Sequence, residues 1–209
     1  TITGLFPLMV GIKAVYHPDP TDAGGLVRKA AAYGVTAVAA TPTFFSFMLE
    51  RAKGDELKTL RVVVVGAEKC PQAVFDKAKA VAPSAVVMEG YGITECSPCV
   101  SVNPSDAAKP GTLGLPVEGI DVCVTDLETN AVLPRGRMGM LHVSGPIVFP
   151  GYIGHDGPPP FTEFGGKRWY VTGDLAEVGD DGYLRFHGRL KRFLKAGGEM
   201  ISLPALEEP

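Results

Sequence analysis

The residues best equipped for chemistry lie in Glu89-Gly90-Tyr91-Gly92-Ile93-Thr94-Glu95. Gly90 and Gly92 let the backbone approach a flat group closely. Tyr91 can lie against a base, and Thr94 can hydrogen-bond a phosphate oxygen. Glu95 can hold Mg²⁺, a hard cation that prefers oxygen ligands. Taken alone, the stretch suits a tight strand-to-loop turn around a core tyrosine equally well, because short motifs match by chance. Two further groups follow it. Thr172-Gly173-Asp174 carries a carboxylate able to accept both ribose hydroxyl protons, or simply to cap its own turn. Gly188-Arg189-Leu190-Lys191 places a guanidinium and an amine two residues apart, within a basic run to Lys195 that also reads as a solvated face.

Two more motifs need weighing. Gly66-Ala67-Glu68 ends the β-branched run Arg61–Val65, and its backbone can line an adenine edge or merely close a strand. Cys96-Ser97-Pro98-Cys99 has the spacing of a redox or zinc pair. A thioredoxin-like pair opens a helix, yet Val100-Ser101-Val102 follows here, and Cys70, Cys123 and the four histidines give no second ligand pair. Free, partly buried thiols are the expectation.

These residues need elements to hold them. In the first half, β-branched runs alternate with helical stretches. Lys13–Tyr16, Thr36–Ala40, Arg61–Val65 and Ala85–Met88 read as strands, the second and fourth of buried type. Thr21 or Asp22 can cap a helix ending at Tyr33. Pro42 opens a second helix, to Ala52, with Phe44, Phe47 and Met48 on one face. Pro71 opens a third, to about Val81. Such alternation predicts a parallel sheet, with the Glu89 loop at the carboxyl ends where ligands of open α/β folds bind. Beyond Pro110 helical period vanishes. Asp121–Thr125, Met138–Val143, Tyr170–Thr172 and Tyr183–Phe186 read as strands, with a hairpin turn at Gly179–Gly182 and a loop at Gly154–Pro160. An antiparallel β subdomain is expected there.

Composition narrows the class. Of 209 residues 45% are hydrophobic and 21% charged, which suits a packed core. Lys plus Arg number 20 against 23 acidic residues, a net charge of −3, so no basic excess points to nucleic acid. No apolar run approaches the ~20 residues of a membrane span. The start is apolar without the charged front of a signal peptide, and it lacks a Met, as a piece of a longer protein would. A reducing, cytoplasmic setting is the default expectation.

In combination the motifs resemble the adenylate-forming superfamily of acyl-CoA synthetases, luciferases and peptide-synthetase adenylation domains. Tyr91–Glu95, Tyr170–Leu175 and Gly188–Lys191 stand in that family's order, and the likeness covers more than half of the chain. Val65–Pro71, Tyr16–Pro20 and Gly198–Leu203 resemble one branch, the acyl-[acyl-carrier-protein] synthetases of the 2-acylglycerophosphoethanolamine acyltransferase type. The resemblance implies a partial large domain: an α/β nucleotide-binding subdomain over 1–112, a β-rich subdomain over 113–187, and a hinge with the start of a C-terminal domain over 188–209.

It also implies roles. Gly66, Ala67, Glu89, Gly90 and Tyr91 would surround adenine, and Thr94 would contact the α-phosphate. Glu95 would bind Mg²⁺, and Asp174 and Arg189 would hold ribose. Lys191 matches the hinge position, and Lys195 a residue of the thiol half-reaction. ATP and Mg²⁺ are the implied cofactors, with a fatty acid and an acyl-carrier protein, or coenzyme A, as partners. Proteins of this branch can carry an acyltransferase domain and work at the inner face of the cell membrane. The family's Pro-Lys-Gly phosphate loop is expected upstream of Thr1, and its lysine-bearing C-terminal domain beyond Pro209. Weak nucleotide binding and little turnover are therefore expected of this chain alone. A non-catalytic nucleotide-binding scaffold is the competing reading, and intact Glu95, Asp174 and Arg189 argue against it.

Overall fold

The computed structural model describes residues 4–154, 156–196 and 199–202, with no side-chain description from 194 onward. The chain forms two compact units, Thr1–Gly92 with Val102–Gly114, and Ile93–Ser101 with Leu115–Pro209.

In the first unit, α1 (Leu5–Val10) ends at Gly11, whose φ of 72° is left-handed. Residues 13–16, expected as a strand, form none. Tyr16 is instead tied to other segments: its hydroxyl donates to the Gly4 carbonyl, and Lys29 Nζ donates to its carbonyl at 2.7 Å. Helix α2 (Ala23–Tyr33) is capped by Asp22, whose carboxylate accepts from the Gly25 amide at 2.8 Å. Strand β1 (Ala37–Ala40) leads to α3 (Pro42–Arg51), with Pro42 in its first turn and the Thr41 hydroxyl as cap. The buried side of α3 is Phe45, Met48 and Leu49, whereas Phe47 is exposed and meets Phe44 edge-on at 6.4 Å. The expected Phe44/Phe47 face is thus the outer one. In the run Phe44–Leu49, two i, i+3, i+4 stripes compete, and the one that meets the sheet is buried.

Strands β2 (Val62–Val65) and β3 (Val86–Gly92) extend β1 into a parallel array, with Ala37 beside Val62, Val62 beside Val86 and Val65 beside Glu89. Helix α4 (Gln72–Val81) connects them. Val63, Val65, Val38 and Val87 pack with Val27, Phe45, Leu49 and Val74 into one core. The helices therefore cover one face, and Ala37 and Ala39, on the other, are exposed. That corrects the buried reading of Thr36–Ala40. Strand β3 also runs further than expected, so Glu89, Gly90 and Tyr91 belong to a strand and not to a loop.

The second unit begins with a 3₁₀ turn, Thr94–Cys96, and β4 (Cys99–Val102), beside which lies β5 (Leu115–Pro116). An antiparallel sheet follows. Its strands are β6 (Asp121–Thr125), β7 (Met138–Ser144), β8 (Phe161–Phe164), β9 (Lys167–Val178) and β10 (Leu184–Arg189). Their order is β10-β9-β7-β6, with β8 also paired to β9. Leu141, Val143, Leu175 and Leu184 are fully buried. Gly179–Gly182 makes the expected turn, the Gly182 amide donating to the Gly179 carbonyl at 2.8 Å. A second 3₁₀ turn, Leu190–Arg192, precedes the antiparallel pair β11 (Phe193–Ala196) and β12 (Glu199–Ser202). Gly197 and Gly198 lie outside the described residues, as does His155 in the Gly154–Pro160 loop. No described helix is long and apolar enough to cross a membrane.

Candidate nucleotide-handling site

The first unit brings together Gly66, Ala67, Glu89, Gly90 and Tyr91. β2 and β3 are neighbours, so the end of one lies beside the middle of the other. A Cβ added at Gly66 would sit 3.2 Å from the Gly90 carbonyl oxygen, which explains a glycine there. Ala67 follows at φ 68°, a left-handed conformation that is costly for a residue with a Cβ.

Glu89 is buried, and burial pushes its carboxyl above the usual range while two backbone amides oppose that shift. Those amides come from Cys70, which donates to Oε1 at 3.4 Å, and Gly111, which donates to Oε2 at 2.7 Å. Its main-chain carbonyl accepts from the Asn103 amide at 2.9 Å and from Asn103 Nδ2 at 3.1 Å. Asn103 Nδ2 also donates to the Thr112 carbonyl at 2.7 Å, and its Oδ1 accepts from the Lys109 amide at 2.8 Å. The Glu89 side chain therefore fastens the Cys70 and Gly111 loops to β3. Asn103 and Thr112 escaped the sequence reading. The Asn103-Pro104 and Pro110-Gly111 turn signals around them were the available clue.

The second unit brings Thr94 and Glu95 together on the 3₁₀ turn, with Thr94 exposed and Glu95 half-buried. The turn is tied to the segment after β7. The Phe149 amide donates to the Glu95 carbonyl at 2.8 Å, and Ser97 Oγ donates to the Ile147 carbonyl at 2.9 Å. The Tyr152 hydroxyl donates to Glu95 Oε1. Tyr152 also accepts from the Tyr170 hydroxyl, and burial with that bond holds the Tyr170 phenol far above its usual pKa. From sequence Tyr152 was not singled out, and Tyr170 stood as the first residue of the Tyr170–Leu175 motif.

Asp174 and Arg189 face each other across β9 and β10, Arg189 Nε lying 3.3 Å from Asp174 Oδ1. The carboxylate is 3% exposed and the guanidinium side chain 67%, so the pair joins the interior to solvent. Thr172-Gly173-Asp174 is not a turn between strands, as expected, but a bulge within β9. Pairing passes from Met140↔Leu175 to His142↔Val171, which leaves Leu141 opposite three residues. Gly173 supplies φ 75°. Thr172 Oγ1 donates to the Leu141 carbonyl at 2.9 Å and accepts from the Asp174 amide at 3.0 Å, so one hydroxyl holds the bulge closed.

Lys191 lies exposed in the second 3₁₀ turn. Lys195 is on β11, and its side chain lies outside the described residues. The four cysteines are free thiols. Burial raises Cys70 and Cys96 to about 12 and Cys123 to about 11, and it raises Cys99 too, so all four stay protonated and unreactive near neutrality.

A parallel α/β layer followed by an antiparallel sheet is the large-domain fold of adenylate-forming enzymes. It is shared with the anthranilate CoA ligase AuaEII solved with anthranoyl-AMP, at a TM-score of 0.82 and 26% identity, over 95% of this chain and 38% of that one. ATP-bound MatB from Rhodopseudomonas palustris matches at a TM-score of 0.79 and 28% identity, over 97% of this chain and 41% of that one. Residues 2–153 match the model of the AMP-binding enzyme family, and the chain belongs to that family. A long-chain-fatty-acid–CoA ligase of Yersinia pestis is 33% identical over 211 residues, covering 100% of this chain and 37% of its own length. The chain thus spans little more than a third of the curated relatives it matches. These relatives are CoA ligases, which supports the coenzyme A alternative better than the carrier-protein branch suggested by Val65–Pro71.

Proposed function

We propose that the full-length protein is an ATP-dependent, AMP-forming acid–thiol ligase. Its acid would be a long-chain fatty acid and its acceptor coenzyme A, with this chain supplying part of the nucleotide-binding wall. The observation that carries the reading is the buried Asp174 carboxylate, aimed by the Thr172 bulge and paired with an exposed Arg189. A buried carboxylate with a solvent-facing cation suits a vicinal diol next to an anion.

The chemistry has two balanced steps. A carboxylate oxygen of the acid bonds to the α-phosphorus of ATP while the bond to pyrophosphate breaks, giving acyl-AMP. The thiol sulfur then bonds to the acyl carbon, the thiol proton is lost, and AMP leaves. In this reading Asp174 accepts the ribose hydroxyl protons. Arg189 offsets negative charge, and the exposed Thr94 hydroxyl donates to a phosphate oxygen. Tyr91 and the Gly66–Ala67 backbone bound the base.

Thr94 and Glu95 fit Mg²⁺. They offer oxygen donors only, and no cluster of three or more His, Cys, Asp or Glu suited to a metal occurs among the described residues. Mg²⁺ binds through one or two carboxylates plus substrate phosphates, not in an all-protein cage. When bound it would offset charge on the phosphates.

The test is fatty-acid-dependent pyrophosphate release by the full-length protein, with coenzyme A and holo-carrier protein offered in parallel. Acyl-CoA formation, lost in Asp174→Ala, is expected. Acyl-carrier-protein formation in place of acyl-CoA would move the acceptor to the other branch. No acid-dependent pyrophosphate release would sink the ligase reading.

A further inference from the structure

We propose that Tyr152 is a positioning residue for Glu95, engaging one carboxylate oxygen so that the other remains for the cation. The inference rests on the ligase reading, in which Glu95 holds Mg²⁺. Its basis is an economy of burial. Tyr152 is 49% exposed, so its ring contributes little to the core. A phenylalanine would make the same edge-on contact with Phe149, whose centroid lies 4.8 Å away. What tyrosine adds is the hydroxyl, which donates to Glu95 Oε1.

The surroundings hold that hydroxyl in place. Gly151, at φ 147°, gives the chain a backbone turn that other residues rarely adopt, immediately before Tyr152. Phe149 packs against Phe161 at 5.7 Å and Tyr170 at 5.6 Å, which anchors the segment to β8 and β9. Tyr170, itself buried, donates to the Tyr152 oxygen. From the same segment the Phe149 amide donates to the Glu95 carbonyl and the Ile147 carbonyl accepts from Ser97 Oγ, which fixes the Glu95 turn. Backbone and carboxylate are thus held at separate points, and no partner of Glu95 Oε2 is seen among the described residues. A carboxylate held at one oxygen loses less rotamer freedom when its second oxygen meets a cation, and preorganisation of this kind strengthens metal binding.

The experiment measures Mn²⁺ affinity by electron paramagnetic resonance on the full-length protein with a non-hydrolysable ATP analogue. It compares wild type, Tyr152→Phe, Glu95→Gln and the double variant. Tyr152→Phe should weaken Mn²⁺ by about fivefold, the scale of one partly solvated hydrogen bond to a carboxylate. Glu95→Gln should weaken it more, and the double variant should equal Glu95→Gln alone. Unchanged or tighter binding in Tyr152→Phe, with Glu95→Gln still weakened, overturns the positioning role and leaves the ligase reading intact. No effect of Glu95→Gln overturns both the metal role and this inference. If Tyr152→Phe fails to fold by near-ultraviolet circular dichroism, Tyr170→Phe replaces it. That variant should weaken Mn²⁺ by about twofold through the lost donor to Tyr152, and no change would overturn the proposal.

Discussion

Replacing Thr172 by valine keeps the shape of the side chain and removes its hydroxyl. That hydroxyl donates to the Leu141 carbonyl at 2.9 Å and accepts from the Asp174 amide at 3.0 Å. Leu141 and Asp174 are buried, so water cannot readily replace the lost partner. Each buried polar group left without a partner costs about 1–3 kcal/mol. Thr172 is itself only half-buried, which favours the lower half of that range for each group. The two together give about 2–4 kcal/mol. With an unfolding entropy of about 2.1 cal/mol/K per residue, the melting midpoint of a chain of this size should fall by roughly 5–9 °C. Trp169, the one tryptophan of the chain, sits three residues away on the same strand, so its fluorescence during urea denaturation reports this sheet. The urea midpoint should fall with the slope unchanged, and Thr172→Ser should lose less than about 1 kcal/mol because it keeps the hydroxyl. A loss below about 0.5 kcal/mol in Thr172→Val would mean that the bulge stands without the hydroxyl, and the argument would fail.

On α3, Phe45→Ala should cost about 3–5 kcal/mol because Phe45 is fully buried, whereas Phe47→Ala, on the exposed side, should cost under about 1 kcal/mol. Equal losses in thermal melts would reverse the assignment of the two faces. His142 is buried with Nε2 2.9 Å from Thr125 Oγ1 and no partner at Nδ1, and burial lowers its pKa below 6.5. The unfolded chain therefore binds the proton more readily. Stability is fully present above the unfolded value and is lost as pH falls through the folded one, by at most about 1.4 kcal/mol per pH unit. Urea midpoints from pH 7.5 to 5 should fall more steeply in wild type than in His142→Gln, and parallel slopes would count against this.

What the sequence reading captured was local. The Val62–Val65 run, the Asp121–Thr125 strand, the Pro42 and Pro71 helix starts and the Gly179–Gly182 turn each carry their own signal within a few residues. What it lost depended on distant partners. Lys13–Tyr16 has strand composition but forms no ladder, and composition cannot reveal a missing neighbour. Thr172-Gly173-Asp174 looks like a turn because Gly173 needs positive φ, yet a bulge needs it too. Tyr152 meets Glu95 from 57 residues away, and Gly111 meets Glu89 from 22. One local signal was overlooked. Gly165-Gly166, both at positive φ, joins β8 to β9 as the two-residue turn that hairpins prefer.

The pairing of Glu89 with Gly111 and Asn103 has a consequence for how this chain can be divided. The first compact unit is not one stretch of sequence, since Val102–Gly114 belongs to it while Ile93–Ser101 does not. A break after Gly92 would strip Glu89 of the Gly111 amide and both Asn103 donors, stranding a carboxylate and a carbonyl in a dry interior. A fragment ending at Gly92 should therefore melt below one extended to Gly114, which restores those partners to Glu89.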